Sequence, residues 1–103
     1  MSQPEPAPGV VRAHVHIVGR VQGVGFRYAA LAEARRLQLA GWVRNLDSGG
    51  VEAVLEGPLQ AVHDMLAWCR RGPVGAFVQD VRIDWDEPPE HLRGFEIRRT
   101  SFA

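Results

Sequence analysis

A glycine-rich segment followed by an arginine holds the residues best suited to chemistry in this sequence of 103 residues. Residues 19–25 read Gly-Arg-Val-Gln-Gly-Val-Gly, and such a run lets successive backbone N–H groups converge on one point. A helix predicted to begin at Phe26 adds unpaired N–H groups and the positive end of its dipole. Arg27, in the first turn of that helix, adds a planar fork of donors that matches phosphate oxygens. The segment therefore predicts an anion site suited to phosphate.

Two other interpretations of residues 19–25 compete with the anion site. The glycines can simply supply the backbone angles of a strand-to-helix connection, with Arg27 solvated, because short glycine motifs recur by chance. The second interpretation is a nucleotide-binding loop. The segment lacks the Gly-Lys-Ser/Thr ending of loops that bind nucleoside triphosphates, and it lacks the parallel βαβ context of loops that bind dinucleotides. The sequence excludes the nucleotide loop and leaves the plain connection open.

Hydrophobic periodicity predicts the elements that would position this loop. Alternation with period two predicts strands, and a period near 3.6 predicts helices. In chain order these are a strand at 11–17, a helix from Phe26, strands at 42–46 and 51–56, a helix after Pro58, a strand at 81–85 and a possible short fifth strand at 95–98. The order βαββαβ is typical of the α+β ferredoxin-like sandwich, in which two helices cover one face of an antiparallel sheet.

The composition is typical of one soluble domain, with 46% apolar and 23% charged residues. The proline-rich start predicts a flexible tail over residues 1–10, followed by the folded domain over 11–103. No run approaches the roughly 18–20 apolar residues of a membrane span, and the start lacks the features of a secretory signal. The single cysteine, Cys69, cannot form an internal disulfide, so a reducing compartment, the cytoplasm, is expected.

The charge balance limits the classes of partner. Twelve acidic residues balance twelve basic ones, which argues against a general nucleic-acid binder. RNA-recognition motifs share the predicted order of elements, but the sequence lacks the aromatic pattern that they need on their central strands. No surplus apolar face is evident, so a monomer is the simplest expectation. A regulatory or partner-binding domain remains as a third class beside an enzyme and an RNA-binding module.

Two sequence motifs, separated by the spacing that one family shows, indicate the function more specifically than the glycine-rich segment alone. Residues 19–27, Gly-Arg-Val-Gln-Gly-Val-Gly-Phe-Arg, resemble the signature of the acylphosphatase family, and residues 41–45, Gly-Trp-Val-Arg-Asn, resemble its second element. The resemblance extends from about Val11 to Arg99 with the same order of elements. It implies a metal-free hydrolase that needs no cofactor and acts on a small-molecule acyl phosphate.

The resemblance also implies a role for each site residue. The phosphate-binding arginine of the family falls on Arg27, and its water-orienting asparagine falls on Asn45. The resemblance further implies that the backbone of the preceding loop forms the phosphate cradle, which falls on five consecutive positions: Arg20, Val21, Gln22, Gly23 and Val24. The physiological substrate stays open, since small anhydrides, carbamoyl phosphate, 1,3-bisphosphoglycerate and acyl-phosphorylated enzymes all present the same group.

Other polar side chains have simpler interpretations. His14 and His16 point to the same side of the first strand, a spacing that can support zinc, but no third ligand is evident and a polar sheet face is the simpler interpretation. Cys69 falls on the apolar stripe of the second helix and is expected in the core. Glu33 is expected to be solvated on the first helix. A solvated strand face is expected for the acidic residues of the last third: Asp80, Asp84, Asp86, Glu87 and Glu90.

Overall fold

A five-stranded sheet and two helices form the protein in a computed structural model that describes residues 9–102. The elements are β1 (Val11–Arg20), α1 (Phe26–Arg36), β2 (Ala40–Asn45), β3 (Val51–Gly57), α2 (Leu59–Arg71), β4 (Phe77–Asp84) and β5 (Phe95–Ile97). The predicted order of elements is confirmed, and the possible fifth strand is present. The predicted tail, residues 1–10, falls largely outside the described residues. No helix between residues 9 and 102 is long and apolar enough to cross a membrane.

The sheet brings the ends of β1 and β2 to the same side of the molecule. Its strand order is β4-β1-β3-β2-β5, with antiparallel neighbours except for the parallel pair β2–β5. The predicted ferredoxin-like fold is confirmed, although β5 makes the sheet mixed. Because β1 and β2 both run antiparallel to β3, they finish at the same end of the sheet. Ile17, Val51 and Asn45 form one row across these three strands near that end.

The core lies between the helices and one face of the sheet. In β1, buried Ala13, Val15 and Ile17 alternate with residues of the other face, as the sequence predicts. The helices contribute these buried side chains: Phe26, Ala30 and Ala34 from α1, and Val62, Met65, Leu66 and Cys69 from α2. Leu59, at the start of α2, is 48% exposed. The expected core position of Cys69 is confirmed, and its burial raises the pKa of the thiol to about 12.

Two strands extend further than their alternation predicts. β1 continues beyond Ile17 to Arg20, and β4 begins at Phe77 rather than Val81. The two extensions pair, with Arg20 opposite Phe77, across a register shift beside Gly19. A β-carbon at Gly19 would lie 2.2 Å from the carbonyl oxygen of Phe77, and the φ angle of Gly19 is +138°, so this close approach requires glycine. Gly19 therefore belongs to an irregularity within the strand pair, and the loop begins after Arg20.

The segment between β4 and β5, residues 85–94, is fastened to the open face of the sheet. Arg12 of β1 is buried and pairs with Glu56 of β3 at 2.9 Å. The same guanidinium reaches Glu87 at 3.2 Å and Glu90 at 3.5 Å in the segment. Glu56, only 2% exposed, also accepts two backbone N–H groups of the segment. The predicted strand face is wrong for Asp86, Glu87 and Glu90, because β4 ends at Asp84 and these residues belong to the segment. Glu87 and Glu90 remain partly exposed while their carboxylates lie beside this buried cation.

Candidate active site

The predicted anion loop spans residues 21–25, between the end of β1 and the start of α1. Val21 and Phe26 flank it and are 1% and 2% exposed, so both ends of the loop are anchored in the core. Gly23 and Gly25 each have a φ angle of +75°, a conformation that L side chains rarely adopt. Gly25 is the N-cap of α1 and no side chain caps this helix, which leaves its first N–H groups available to a ligand.

Arg27 lies half-buried in the first turn of α1, beside this helix N-terminus. Its guanidinium carbon is 5.9 Å from the centre of the ring of Tyr28, which is largely exposed. The salt bridges formed within residues 9–102 occupy five other arginines: Arg12, Arg36, Arg44, Arg82 and Arg98. The guanidinium of Arg27 thus has no carboxylate partner in the described part of the chain and can pair with an anion.

Asn45 is the last residue of β2 and pairs with Val51 of β3. Strand alternation puts its side chain on the same face as buried Val43, which is the face that the helices cover. The side chain is half-buried, and α1 packs against β2. Arg27 and Asn45 therefore belong to the same end and the same side of the sheet.

Gln22 connects the loop to the turn that follows Asn45. Its side-chain nitrogen Nε2 donates one hydrogen bond to the carbonyl oxygen of Leu46 at 2.7 Å and another to that of Gly50 at 2.8 Å. The turn is itself closed by a hydrogen bond from the Leu46 N–H to the Gly50 oxygen at 2.9 Å. The side chain of Gln22 thus points toward the hairpin, while its backbone remains part of the loop.

Near the C-terminus, Ser101 lies along the edge of β2 opposite to the edge that pairs with β3. The N–H of Ser101 donates to the backbone oxygen of Asn45 at 3.0 Å, and the oxygen of Ser101 accepts from the N–H of Asp47 at 2.9 Å. Ser101 also forms an isolated parallel bridge with Leu46. These contacts extend the β2–β5 pairing to the end of β2.

A second polar cluster surrounds His14 on the open face of the sheet. The imidazole of His14 lies between Glu52, 2.6 Å from Nε2, and Glu87, 2.5 Å from Nδ1. Both ring nitrogens face carboxylate oxygens, and both can donate to them only when the imidazole is charged. A cavity of about 340 Å³ beside it is also lined by His16. Within residues 9–102, no three histidine, cysteine or acidic side chains are arranged to hold a metal ion.

Trp42 of β2 lies on the same face of the sheet, opposite to the face of buried Val43. Trp42 is 7% exposed, and its ring lies 4.8 Å from the guanidinium carbons of both Arg44 and Arg98. An aromatic ring held between two cations is not free to stack on a nucleic-acid base.

The comparison with known families decides the identity. The acylphosphatase family model matches residues 13–97. The chain belongs to the acylphosphatase family. An acylphosphatase of Nostoc sp. is 54% identical over 99 residues, covering 96% of this chain and 97% of the relative. One of Thermococcus kodakarensis is 52% identical over 87 residues, covering 84% and 94%. The crystal structure of the Bacillus subtilis acylphosphatase matches with a TM-score of 0.83 at 36% identity, covering 85% of this chain and 98% of that one.

Membership of the acylphosphatase family confirms the resemblance drawn from the two motifs and the prediction of an enzyme. Of the predicted cradle, Arg20 is the exposed last residue of β1, whereas Val21, Gln22, Gly23 and Val24 belong to the loop. The contact that sequence reasoning missed is the side chain of Gln22. The sequence does show a polar amide side chain among the glycines and valines of the loop. It does not show which carbonyl groups this amide reaches.

Proposed function

We propose that this member of the acylphosphatase family hydrolyses the carboxyl–phosphate bond of acyl phosphates to a carboxylate and inorganic phosphate. In the proposal, the backbone of residues 20–24 and the guanidinium of Arg27 hold the phosphate, and Asn45 orients the attacking water. The observation that carries the proposal is the shared location of the uncapped α1 N-terminus, Arg27 and Asn45 at one end of the sheet. Family membership supports the same reaction.

The proposed reaction needs only these groups. The water oxygen attacks phosphorus, the bond from phosphorus to the bridging oxygen breaks, and the carboxylate departs with that bonding pair. A carboxyl group has a pKa of about 4, so it leaves without protonation and neither a general acid nor a metal ion is required. The proton of the water passes to a phosphate oxygen of the substrate. Phosphoryl transfer then depends mainly on positioning and on stabilisation of the charge on the transferred group.

The two side chains have separate tasks in this scheme. The fork of Arg27 and the N–H groups of the loop stabilise the negative phosphate oxygens. A carboxamide cannot act as a base at neutral pH, so Asn45 hydrogen-bonds to the water and directs it at phosphorus. The proposal includes a cytoplasmic monomer that acts on a small-molecule acyl phosphate without a cofactor or a nucleic-acid partner.

The direct test is the release of inorganic phosphate from acetyl phosphate or benzoyl phosphate by the purified protein, before and after exhaustive chelation. We expect full activity after chelation and a fall in kcat of about 10²–10³ for Asn45→Ala. Gln60→Ala, which removes an exposed amide of α2, is the control and should keep the parent kcat. A folded protein that released no phosphate would contradict the proposal, and activity that returned only with zinc would contradict its metal-free chemistry.

A further inference from the structure

The side-chain amide of Gln22 bridges the two parts of the proposed site. A carboxamide nitrogen has two N–H donors, and here both are used, on the carbonyl oxygens of Leu46 and Gly50. These two residues are the first and last of the turn that begins directly after Asn45. Across the described part of the chain, these are the only side-chain hydrogen bonds that link the loop at 21–25 to the turn at 46–50.

We infer that Gln22 is a positioning residue, whose side chain fixes Asn45 relative to the phosphate cradle and so sets the line of attack of the water. The inference rests on the proposed function. The backbone of Gln22 lies in the cradle while its side chain holds the turn, so this residue fixes the spacing between phosphate and Asn45. That spacing matters because in-line attack tolerates little error: a displacement of about 1 Å can reduce the rate about 10²-fold.

A purely structural role for Gln22 makes a different prediction. If its side chain served only to hold the loop in shape, its loss would weaken phosphate binding as much as turnover. If it acts through Asn45, its loss lowers kcat, leaves the competitive inhibition constant of inorganic phosphate nearly unchanged and has no effect once Asn45 is removed.

The experiment is a double-mutant cycle with Gln22→Met and Asn45→Ala. Methionine keeps the length of the side chain and removes both donors. We expect Gln22→Met to lower kcat about 10- to 100-fold in the parent and less than about threefold in Asn45→Ala, with phosphate inhibition within about twofold of the parent. Gln60→Met is the matched control, because it removes an amide from the exposed face of α2, and it should not change kcat.

Two results would overturn the inference. One is an unchanged kcat in Gln22→Met while Asn45→Ala has lost its turnover. The other is an equal loss from Gln22→Met in both backgrounds together with weaker phosphate inhibition, which would make Gln22 a support of the cradle alone. Full turnover in Asn45→Ala would instead contradict the proposed function, so the two failures are distinguishable.

A second variant keeps the test valid if Gln22→Met does not fold. Gln22→Glu has the same shape, but its carboxylate cannot donate to the two carbonyl groups, whereas the protonated acid regains one O–H donor. We therefore expect the kcat of Gln22→Glu, divided by that of the parent at the same pH, to rise as the pH falls toward the pKa of the introduced carboxyl. A ratio that stays flat between pH 7 and about 4 would contradict the positioning role.

Discussion

A guanidinium and a carboxamide can do different things for a phosphoryl transfer, and this difference separates Arg27 from Asn45. Arginine stays charged at any working pH and presents its donors in a rigid fork, so it binds phosphate before, during and after the reaction. Asparagine is neutral and has one acceptor and two donors, which suits a water molecule. In the proposed scheme the loss of Arg27 therefore affects binding and turnover together, whereas the loss of Asn45 affects turnover.

Lysine should not replace Arg27. Arg27→Lys keeps the charge but loses the planar pair of donors, and we expect kcat/KM for acetyl phosphate to fall about 10²-fold or more. Arg36→Lys on the same helix is the control, because Arg36 is exposed and pairs only with Glu33 at the surface, where such pairs contribute little. Steady-state kinetics of both folded variants measure the effect. If Arg27→Lys kept most of its turnover, simple charge attraction would be sufficient and the bidentate model would be wrong.

The proposed reactive residues could be named from the sequence because they belong to two contiguous strings with a recognisable spacing. The contacts that hold these residues and their surroundings in place could not be predicted from the sequence. Gln22 meets carbonyl groups 24 and 28 residues away, and Glu87 meets His14 across 73 residues. Such partners depend on strand register and on the path of long connections, which local residue patterns do not encode.

At the scale of the elements, the segment at 85–94 is attached to the open face of the sheet through ion pairs and hydrogen bonds. It is attached through Arg12 and Glu56, and through the imidazolium of His14, which lies between Glu52 and Glu87. The segment leads into β5, whose parallel pairing with β2 continues to the end of the sheet where the proposed site lies. The parallel direction of β5 could not be predicted from its three residues, because it is set by the course of this segment.

The stability of the protein should depend on the protonation of His14. Burial desolvates the imidazolium and lowers its pKa, but the hydrogen bonds to Glu87 and Glu52 outweigh this and hold the pKa of His14 above its ordinary value. A raised pKa in the folded state means that the stabilisation is fully present below about pH 6.5 and is lost as the pH rises through the folded pKa. Hydrogen bonds with His14 conversely lower the pKa of Glu87, whose contribution is lost as the pH falls through that lowered value.

Urea unfolding at a series of pH values measures this dependence. We expect the free energy of unfolding of the parent to fall as the pH rises above about 6.5, and His14→Asn to be less stable at pH 6 and to lose most of that slope. His63→Asn is the control: it removes an exposed imidazole from α2 and should keep the slope of the parent. Equal slopes in the parent and His14→Asn would show that the pair with Glu87 does not couple the segment to pH.

At the scale of the whole molecule, the proposed site is built from the β1–α1 loop and the adjoining ends of elements, and the hydrophobic core lies between the helices and the sheet. Val21 and Phe26 anchor the loop in the core, whereas the groups proposed to bind the substrate lie at the ends of β1 and β2 and at the start of α1. Replacing a polar side chain at this end removes no core packing, so variants of Arg27 and Asn45 should remain folded. Ligand binding to the native state then becomes measurable through the stability of the whole chain, independently of turnover.

Inorganic phosphate should stabilise the native protein through Arg27 but not through Asn45. A ligand that binds only the folded state adds about 2.7 kcal/mol to the free energy of unfolding at 100 times its dissociation constant. We expect this gain in the parent and in Asn45→Ala, whereas Arg27→Gln should keep only the general effect of phosphate as a salt. Urea unfolding with phosphate, or with sodium chloride at equal ionic strength, measures the gain, and Arg36→Gln should retain it in full. A loss of the gain in Asn45→Ala would make the asparagine a binding residue, and the water-orienting role would be wrong.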